Sequence, residues 1–282
     1  MPAEHELTVD GRRIVHLDYG NPEAFPLVLV HGYTAFPHEW DDVATELVPI
    51  RHVIAAGLRG HGTSDWADPG DYPLHGFVED LAAQVDELGL AEFDLLGHSM
   101  GGAVAIAYTA QHPGRVRRLV IVDAGPIDAA AFASEDSPRP VVPSSFPNRA
   151  AAEEYLRSSP AFAGFPSSFA DCRLEHALRE LDDGAVAWRC DLAHLPSAFG
   201  PPNGAEFGEV LWDQVAAIPC PTLLMRAGPS PVLPSETAER MLTSNPCFSY
   251  LEVPGAAHWI QVTHPDVFLG AVRAFLGARE GG

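Results

Sequence analysis

Apolar and polar positions alternate between two periods along this chain. Short runs dominated by branched, aromatic and small apolar residues, at Leu27 to Val30, His52 to Ala55, Phe93 to Leu96, Leu119 to Val122, Thr222 to Met225 and Tyr250 to Val253, read as strands. Most are apolar at nearly every position, as strands covered on both faces of a parallel sheet are. Stretches of helical period lie between them. Leu74, Phe77, Val78, Leu81, Val85 and Leu88 recur at three- and four-residue intervals and predict a helix packed on a sheet. Val267, Phe268, Ala271, Val272 and Phe275 predict a last helix after His264-Pro265. Near the start, Leu7 to Val9 and Arg13 to Leu17 flank Asp10-Gly11, a hairpin turn pair. Together these elements predict an α/β fold, a mostly parallel sheet with helices on both faces.

The alternation breaks once, from Pro126 to about Val210, where no clear strand is visible. Proline-rich loops and helical pieces, Ala150 to Arg157 and Ser168 to Leu181, are threaded by Phe132, Phe146, Tyr155, Phe162, Phe165, Phe169, Trp188 and Phe199. The expectation is a core of residues 1–125 and 211–282 carrying a helical insertion, 126–210. Most of these aromatics should hold the insertion together, and a minority should line a pocket.

One segment carries chemistry. Gly97-His98-Ser99-Met100-Gly101 follows the apolar run Phe93 to Leu96 and opens a helix of small residues, Gly102 to Ala110. A serine between glycines at a strand-to-helix turn takes a strained conformation that only small neighbours allow, and its hydroxyl is pushed into the open. The helix start behind it offers backbone N–H groups and a positive dipole end, both suited to an oxyanion.

Composition narrows the partner. The 282 residues, 46% of them apolar, suffice for one domain with an insertion. Seventeen basic residues against 38 acidic give a net charge of −21, a field that repels nucleic acid and anionic membrane surfaces. The expected partner is therefore a small neutral or weakly charged molecule, with no nucleic acid and no membrane; oligomeric state is not legible. Every basic residue is an arginine, and the absence of lysine removes Schiff-base chemistry, a pyridoxal-phosphate lysine and a Walker A loop. No cofactor and no metal is expected. Neither a signal pattern nor a membrane-length apolar run is visible, which predicts a cytoplasmic protein. Cys172, Cys190, Cys220 and Cys247 lack CxxC spacing and read as reduced thiols.

From Leu7 to Leu276 the chain resembles the α/β-hydrolase family. Leu29-Val30-His31-Gly32-Tyr33 is similar to its oxyanion loop, Leu58 to Asp65 to the loop after the next sheet strand, and Gly255-Ala256-Ala257-His258-Trp259 to its histidine loop. The resemblance implies an eight-stranded, mostly parallel sheet and a helical cap at Pro126 to Val210. It also implies Ser99 as nucleophile, His258 as its base, and the backbone N–H groups of Tyr33 and Met100 as oxyanion donors. His31, Phe162, Trp188 and Trp259 are candidate pocket residues; His31, His98 and His61 also read as loop-bracing residues.

The third member departs from the family's usual pattern. Most relatives place an aspartate after the strand corresponding to Thr222 to Met225, but the loop here, Arg226 to Leu233, contains no acid. Asp123, at the end of the strand Leu119 to Val122, is the preferred substitute, because ligand-facing residues lie at the carboxyl ends of such strands. Glu236 or a bare Ser-His dyad are the alternatives. Asp65 and Asp18 are weaker candidates for the acid; Asp65 and Arg59 read as loop-bracing groups, with Arg59 also able to bind a substrate carboxylate. The reading is a serine hydrolase cleaving an ester, lactone or thioester of a small, largely apolar substrate through an acyl-enzyme. Carbon-carbon bond hydrolysis or cofactor-free perhydrolysis on the same site, and a non-catalytic ligand receptor, remain as alternatives.

Overall fold

The computed structural model describes residues 1–127, 142–199 and 203–277. Eleven strands are formed among them: β1 (Ala3–Val9), β2 (Arg12–Asp18), β3 (Pro26–Val30), β4 (His52–Ala56), β5 (Phe93–His98), β6 (Val116–Val122), β7 (Ser145–Phe146), β8 (Leu178–Glu180), β9 (Val186–Trp188), β10 (Thr222–Ala227) and β11 (Phe248–Val253). Eight make one sheet in the order β1-β2-β4-β3-β5-β6-β10-β11, in which β2 alone runs opposite to the other seven. The hairpin turn is where Asp10-Gly11 put it, with φ of 49° and 79°, the left-handed pair that a two-residue turn needs.

Side-chain alternation explains why the central strands are apolar throughout. Val28, Val30, Leu95, Leu119, Ile121 and Leu224 face one layer, with the helices Leu74–Glu87, Met100–Gln111 and Glu209–Ala217. Leu27, Leu29, Leu96, Val120, Val122 and Met225 face the other, against the helices Asp41–Leu47 and Pro265–Gly277. With helices on both sides, neither face can be polar. No helix among the described residues is long and apolar enough to cross a membrane.

The insertion is not purely helical. It holds the helices Arg149–Ser158 and Ser167–His176, the first capped by the Asn148 side chain accepting from the Ala151 N–H at 3.0 Å, but also a three-stranded antiparallel sheet, β7-β9-β8. The helix expected over Ser168 to Leu181 ends at His176 and gives way to β8. Strands of two or three residues are too short to show a period of two, so tertiary contacts decide them. Trp188 is one such contact: its Nε1–H donates to the Pro143 carbonyl at 2.7 Å, and its ring meets Phe146 edge-on at 5.5 Å. Phe132 lies outside the described residues. At the far end, the helix Glu209–Ala217 crosses the expected boundary at residue 210 and packs on the core helix Met100–Gln111.

Buried polar contacts pin the insertion to the core. Tyr72 donates its hydroxyl to Asp191 at 2.7 Å, and the Asp191 N–H donates to the Gly60 carbonyl at 2.9 Å. Arg173, on the helix Ser167–His176, forms a buried ion pair with Glu39 of the core.

Candidate active site

Ser99 stands between β5 and the helix Met100–Gln111 at φ 54° and ψ −122°, outside the regions a serine normally occupies. Holding a side chain there costs on the order of 1–3 kcal/mol. The surroundings impose it: the Ser99 N–H donates to Val122 at 3.0 Å, and its carbonyl accepts from the Gly102 N–H at 2.8 Å. Close approach explains the flanking glycines. A Cβ on Gly97 would lie 2.2 Å from the Gly101 carbonyl oxygen, and one on Gly101 would lie 2.4 Å from the carbonyl oxygens of Val30 and His31. No side chain fits either place.

His258 comes from the loop after β11. Its Nε2 lies 2.9 Å from the Ser99 hydroxyl, and its Nδ1 lies 2.7 Å from Oδ2 of Asp123. Asp123 follows β6 at φ 47° and is fully buried. Its Oδ1 accepts from the Ala227 N–H at 2.9 Å, and its Oδ2 accepts from the Ser230 hydroxyl at 2.6 Å. The Ser230 oxygen in turn accepts from the N–H groups of Val232 at 3.1 Å and Leu233 at 3.0 Å. Both its lone pairs are thus occupied and its proton must point at Asp123. The donors around Asp123 call for a carboxylate that only accepts. His258 Nδ1 therefore carries a hydrogen, which leaves the neutral ring's Nε2 lone pair facing Ser99.

The acid-free loop has a use that its sequence did not reveal: it donates two hydrogen bonds to Asp123. Glu236 stands exposed in the first turn of the helix Ser235–Ser244, its carboxylate 3.4 Å from the Ser235 hydroxyl.

The loop after β3 lies against Ser99, since a Cβ on Gly32 would come within 3.0 Å of Ser99 Cβ. Tyr33 follows in that loop. Met100 is the first residue of its helix, so its N–H precedes the intrahelical ladder.

The neighbouring histidines are braces. His98 is fully buried, and burial together with the nearby His258 holds its pKa well below the ordinary value. It is therefore neutral at pH 7, and its Nε2–H donates to the His258 carbonyl at 3.0 Å, fixing the histidine loop. Burial likewise lowers His31 to about 4 and His61 to about 3. Their rings lie 5.0 Å apart, with His31 Nδ1 3.0 Å from the Gly32 carbonyl and His61 Nδ1 2.9 Å from that of Arg59. His31, a candidate pocket residue, is 1% exposed in the loop after β3 and is not among the residues that line the cavity beneath the insertion. Phe162 and Trp188 do line that cavity, of about 40 Å³, with Thr34, Tyr155, Arg173 and Leu192. Trp259 lies beside the site, its ring 5.2 Å from His258 and 5.7 Å from Phe165.

The other acids and Arg59 are engaged elsewhere. Arg59 and Asp80 form a buried two-bond pair at 2.9 and 2.7 Å; Asp65 accepts from the Arg13 N–H at 2.8 Å, and Asp18 from that of Gly20 at 2.7 Å. Among the described residues, His38, Asp41 and His176 bring three potential metal ligands within 4.8 Å of one another. The two imidazoles stack face to face at 3.6 Å, so their in-plane lone pairs do not converge on one point. Ser230, Glu39 and Arg173 went unnoticed in the sequence, because Ser230 meets Asp123 from 107 residues away and Arg173 meets Glu39 from 134, and nothing local marks them.

The model of the alpha/beta hydrolase fold family matches residues 26–265. The chain belongs to the α/β-hydrolase family. This α/β-hydrolase is 28% identical over 275 residues to the 3-hydroxybutyrate-oligomer hydrolase of Cupriavidus necator, covering 94% of each chain. It is 26% identical over 284 residues to the 2-hydroxymuconate semialdehyde hydrolase of Pseudomonas putida, covering 98% of this chain and 94% of that one. Among solved structures it resembles E-2-(acetamidomethylene)succinate hydrolase with a TM-score of 0.83 at 21% identity, over 99% of this chain and all of the other. The fold is therefore that of an α/β-hydrolase, and the enzyme class is hydrolase.

Proposed function

We propose that this hydrolase cleaves an ester, lactone or thioester of a small, largely apolar substrate through an acyl-enzyme on Ser99. The observation that carries the reading is the unbroken line of contacts from the Ser99 hydroxyl through His258 to Asp123, at 2.9 and 2.7 Å. As Ser99 Oγ attacks the carbonyl carbon, its proton passes to His258 Nε2. Buried Asp123 stabilises the imidazolium that results. The carbonyl oxygen becomes an oxyanion, received by the N–H groups of Tyr33 and Met100. His258 then returns the proton to the leaving alcohol or thiol as the carbon–oxygen or carbon–sulfur bond breaks. A water, deprotonated by the same nitrogen, attacks the acyl-enzyme and releases the acid.

The similarity to an oligomer hydrolase from Cupriavidus necator supports an ester substrate. A second reading, carbon-carbon bond hydrolysis on the same residues, is supported by the similarity to the Pseudomonas putida hydrolase. The receptor reading drew its strength from the acid-free loop Arg226 to Leu233, and it loses that support because the loop serves Asp123.

A fluorophosphonate probe tests the proposal. It should label the protein at Ser99, and Ser99→Ala should abolish labelling and lower kcat on p-nitrophenyl esters by about a millionfold or to background, with thermal unfolding nearly unchanged. Ordinary esterase activity in Ser99→Ala would overturn the assignment.

A further inference from the structure

Arg173 is an unusual group to find under the insertion. It is 4% exposed and lines the cavity together with Thr34, Tyr155, Phe162, Trp188 and Leu192, whose side chains are mostly apolar. Its guanidinium is only partly used. Nη2 pairs with the carboxylate of Glu39, itself buried, while Nη1 reaches the Thr34 carbonyl only at 3.5 Å, and Nε has no hydrogen-bond partner among the described residues. A buried N–H without an acceptor is costly and calls for an explanation, of which a bound molecule is one.

Two lines of contacts lead from the cavity to the reacting atoms. Gly32 lies against Ser99, and Thr34, two residues further on, can be no more than about 7 Å from it along the chain. On the opposite side the rings run from Phe162 to Phe169 at 5.4 Å, from Phe169 to Trp259 at 6.2 Å, and from Trp259 to His258 at 5.2 Å. The space therefore lies between the loop after β3 and the insertion, and we infer that the acyl part of a substrate attached to Ser99 runs towards it. Its volume of about 40 Å³ suits a small group rather than a long chain.

Charge then selects the chemistry. Glu39 already neutralises Arg173, so a substrate carboxylate would enter beside an existing one in a protein of net charge −21. A neutral oxygen meets no such repulsion and can accept from the guanidinium, whose Nη1 is held only by the Thr34 carbonyl at 3.5 Å. We propose that Arg173 is a specificity residue that recognises a keto or hydroxyl oxygen on a short acyl chain, so that oxygenated acyl groups are preferred over their hydrocarbon counterparts. The inference rests on the acyl-transfer reading of Ser99.

The test compares p-nitrophenyl esters of matched shape: levulinate against isocaproate, β-hydroxybutyrate against isovalerate, and hemisuccinate as the anionic arm. At least one oxygenated ester should exceed its hydrocarbon partner in kcat/KM by about ten- to a hundredfold, the range of a hydrogen bond to a charged group, and hemisuccinate should be poorer than levulinate. Arg173→Lys keeps a cation beside Glu39 but removes the planar fork of N–H groups, and the preference ratio should collapse towards one. Ratios near one for both pairs in the wild-type enzyme would overturn the inference, as would hemisuccinate being the best substrate or the ratio surviving in Arg173→Lys. In all three cases probe labelling and turnover of the plain esters would leave the acyl-transfer reading intact. Absence of labelling and of turnover on every ester would overturn both.

Discussion

Replacing Asp123 by asparagine probes the geometry of the site most sharply, because the two groups have the same shape and differ only in what they donate. Each orientation of the amide fails. With its oxygen kept on the Ala227 N–H, its NH2 faces the Ser230 hydroxyl and His258 Nδ1. Ser230 cannot turn to accept, since Val232 and Leu233 already occupy its lone pairs. His258 can accept only by moving its hydrogen to Nε2, which takes the lone pair away from Ser99. With the amide reversed, NH2 meets the Ala227 N–H and leaves two donors facing each other. Loss of the correct tautomer in a Ser-His-Asp site costs about four orders of magnitude in kcat, equivalent to about 5 kcal/mol of barrier. The buried mismatch adds about 1–3 kcal/mol of lost stability. Steady-state hydrolysis of a p-nitrophenyl ester and urea unfolding measure the two effects separately. Glu236→Gln is the control, and exposure limits its cost to less than about tenfold. If Asp123→Asn retained activity within tenfold of wild type, or if Glu236→Gln were the damaging change, the role given to Asp123 would be wrong.

Acid should unfold the protein earlier than its carboxylates alone require. His31 and His61 have pKa values lowered to about 4 and about 3 by burial, so the unfolded chain, with ordinary values near 6.5, binds more protons below that pH. Their stabilising contribution is whole above pH 6.5 and is lost as pH falls towards the folded values, with His31 alone accounting for about 2 kcal/mol by pH 5; a urea midpoint flat from pH 7 to 5 would contradict this. Gly101→Ala places a methyl 2.4 Å from two backbone carbonyl oxygens and should cost about 3 kcal/mol or more, or prevent folding, as read by thermal unfolding. Phe162→Ala enlarges the cavity under the insertion and should shift acyl chain-length preference towards longer esters more than it changes turnover of an acetyl ester. Equal losses on all esters with lowered stability would make Phe162 packing alone.

Much of the molecule was legible because the deciding forces are local. A short continuous apolar run, a stripe at period 3.6, and Asp10-Gly11 at a hairpin each depend on neighbours within a few positions, and the eight strands of the main sheet follow from them. The elbow was legible for the same reason: glycines around Ser99 are a local steric demand. Local pattern failed where the partner is remote. The short strands of the insertion are set by Trp188 reaching Pro143, and His31 turned inward to His61 although it stands two residues before Tyr33. The acid was the clearest case. Sequence order admitted Asp123 and Glu236 alike, whereas the contact with His258 spans 135 residues and exists because β6 pairs with β10 and β10 with β11. That pairing delivers the Asp123 carboxylate, the donors of the Arg226 to Leu233 loop and the histidine loop to one edge of the sheet. The residue types were thus written in the chain, but which of them meet was decided by the register of strands far apart in sequence.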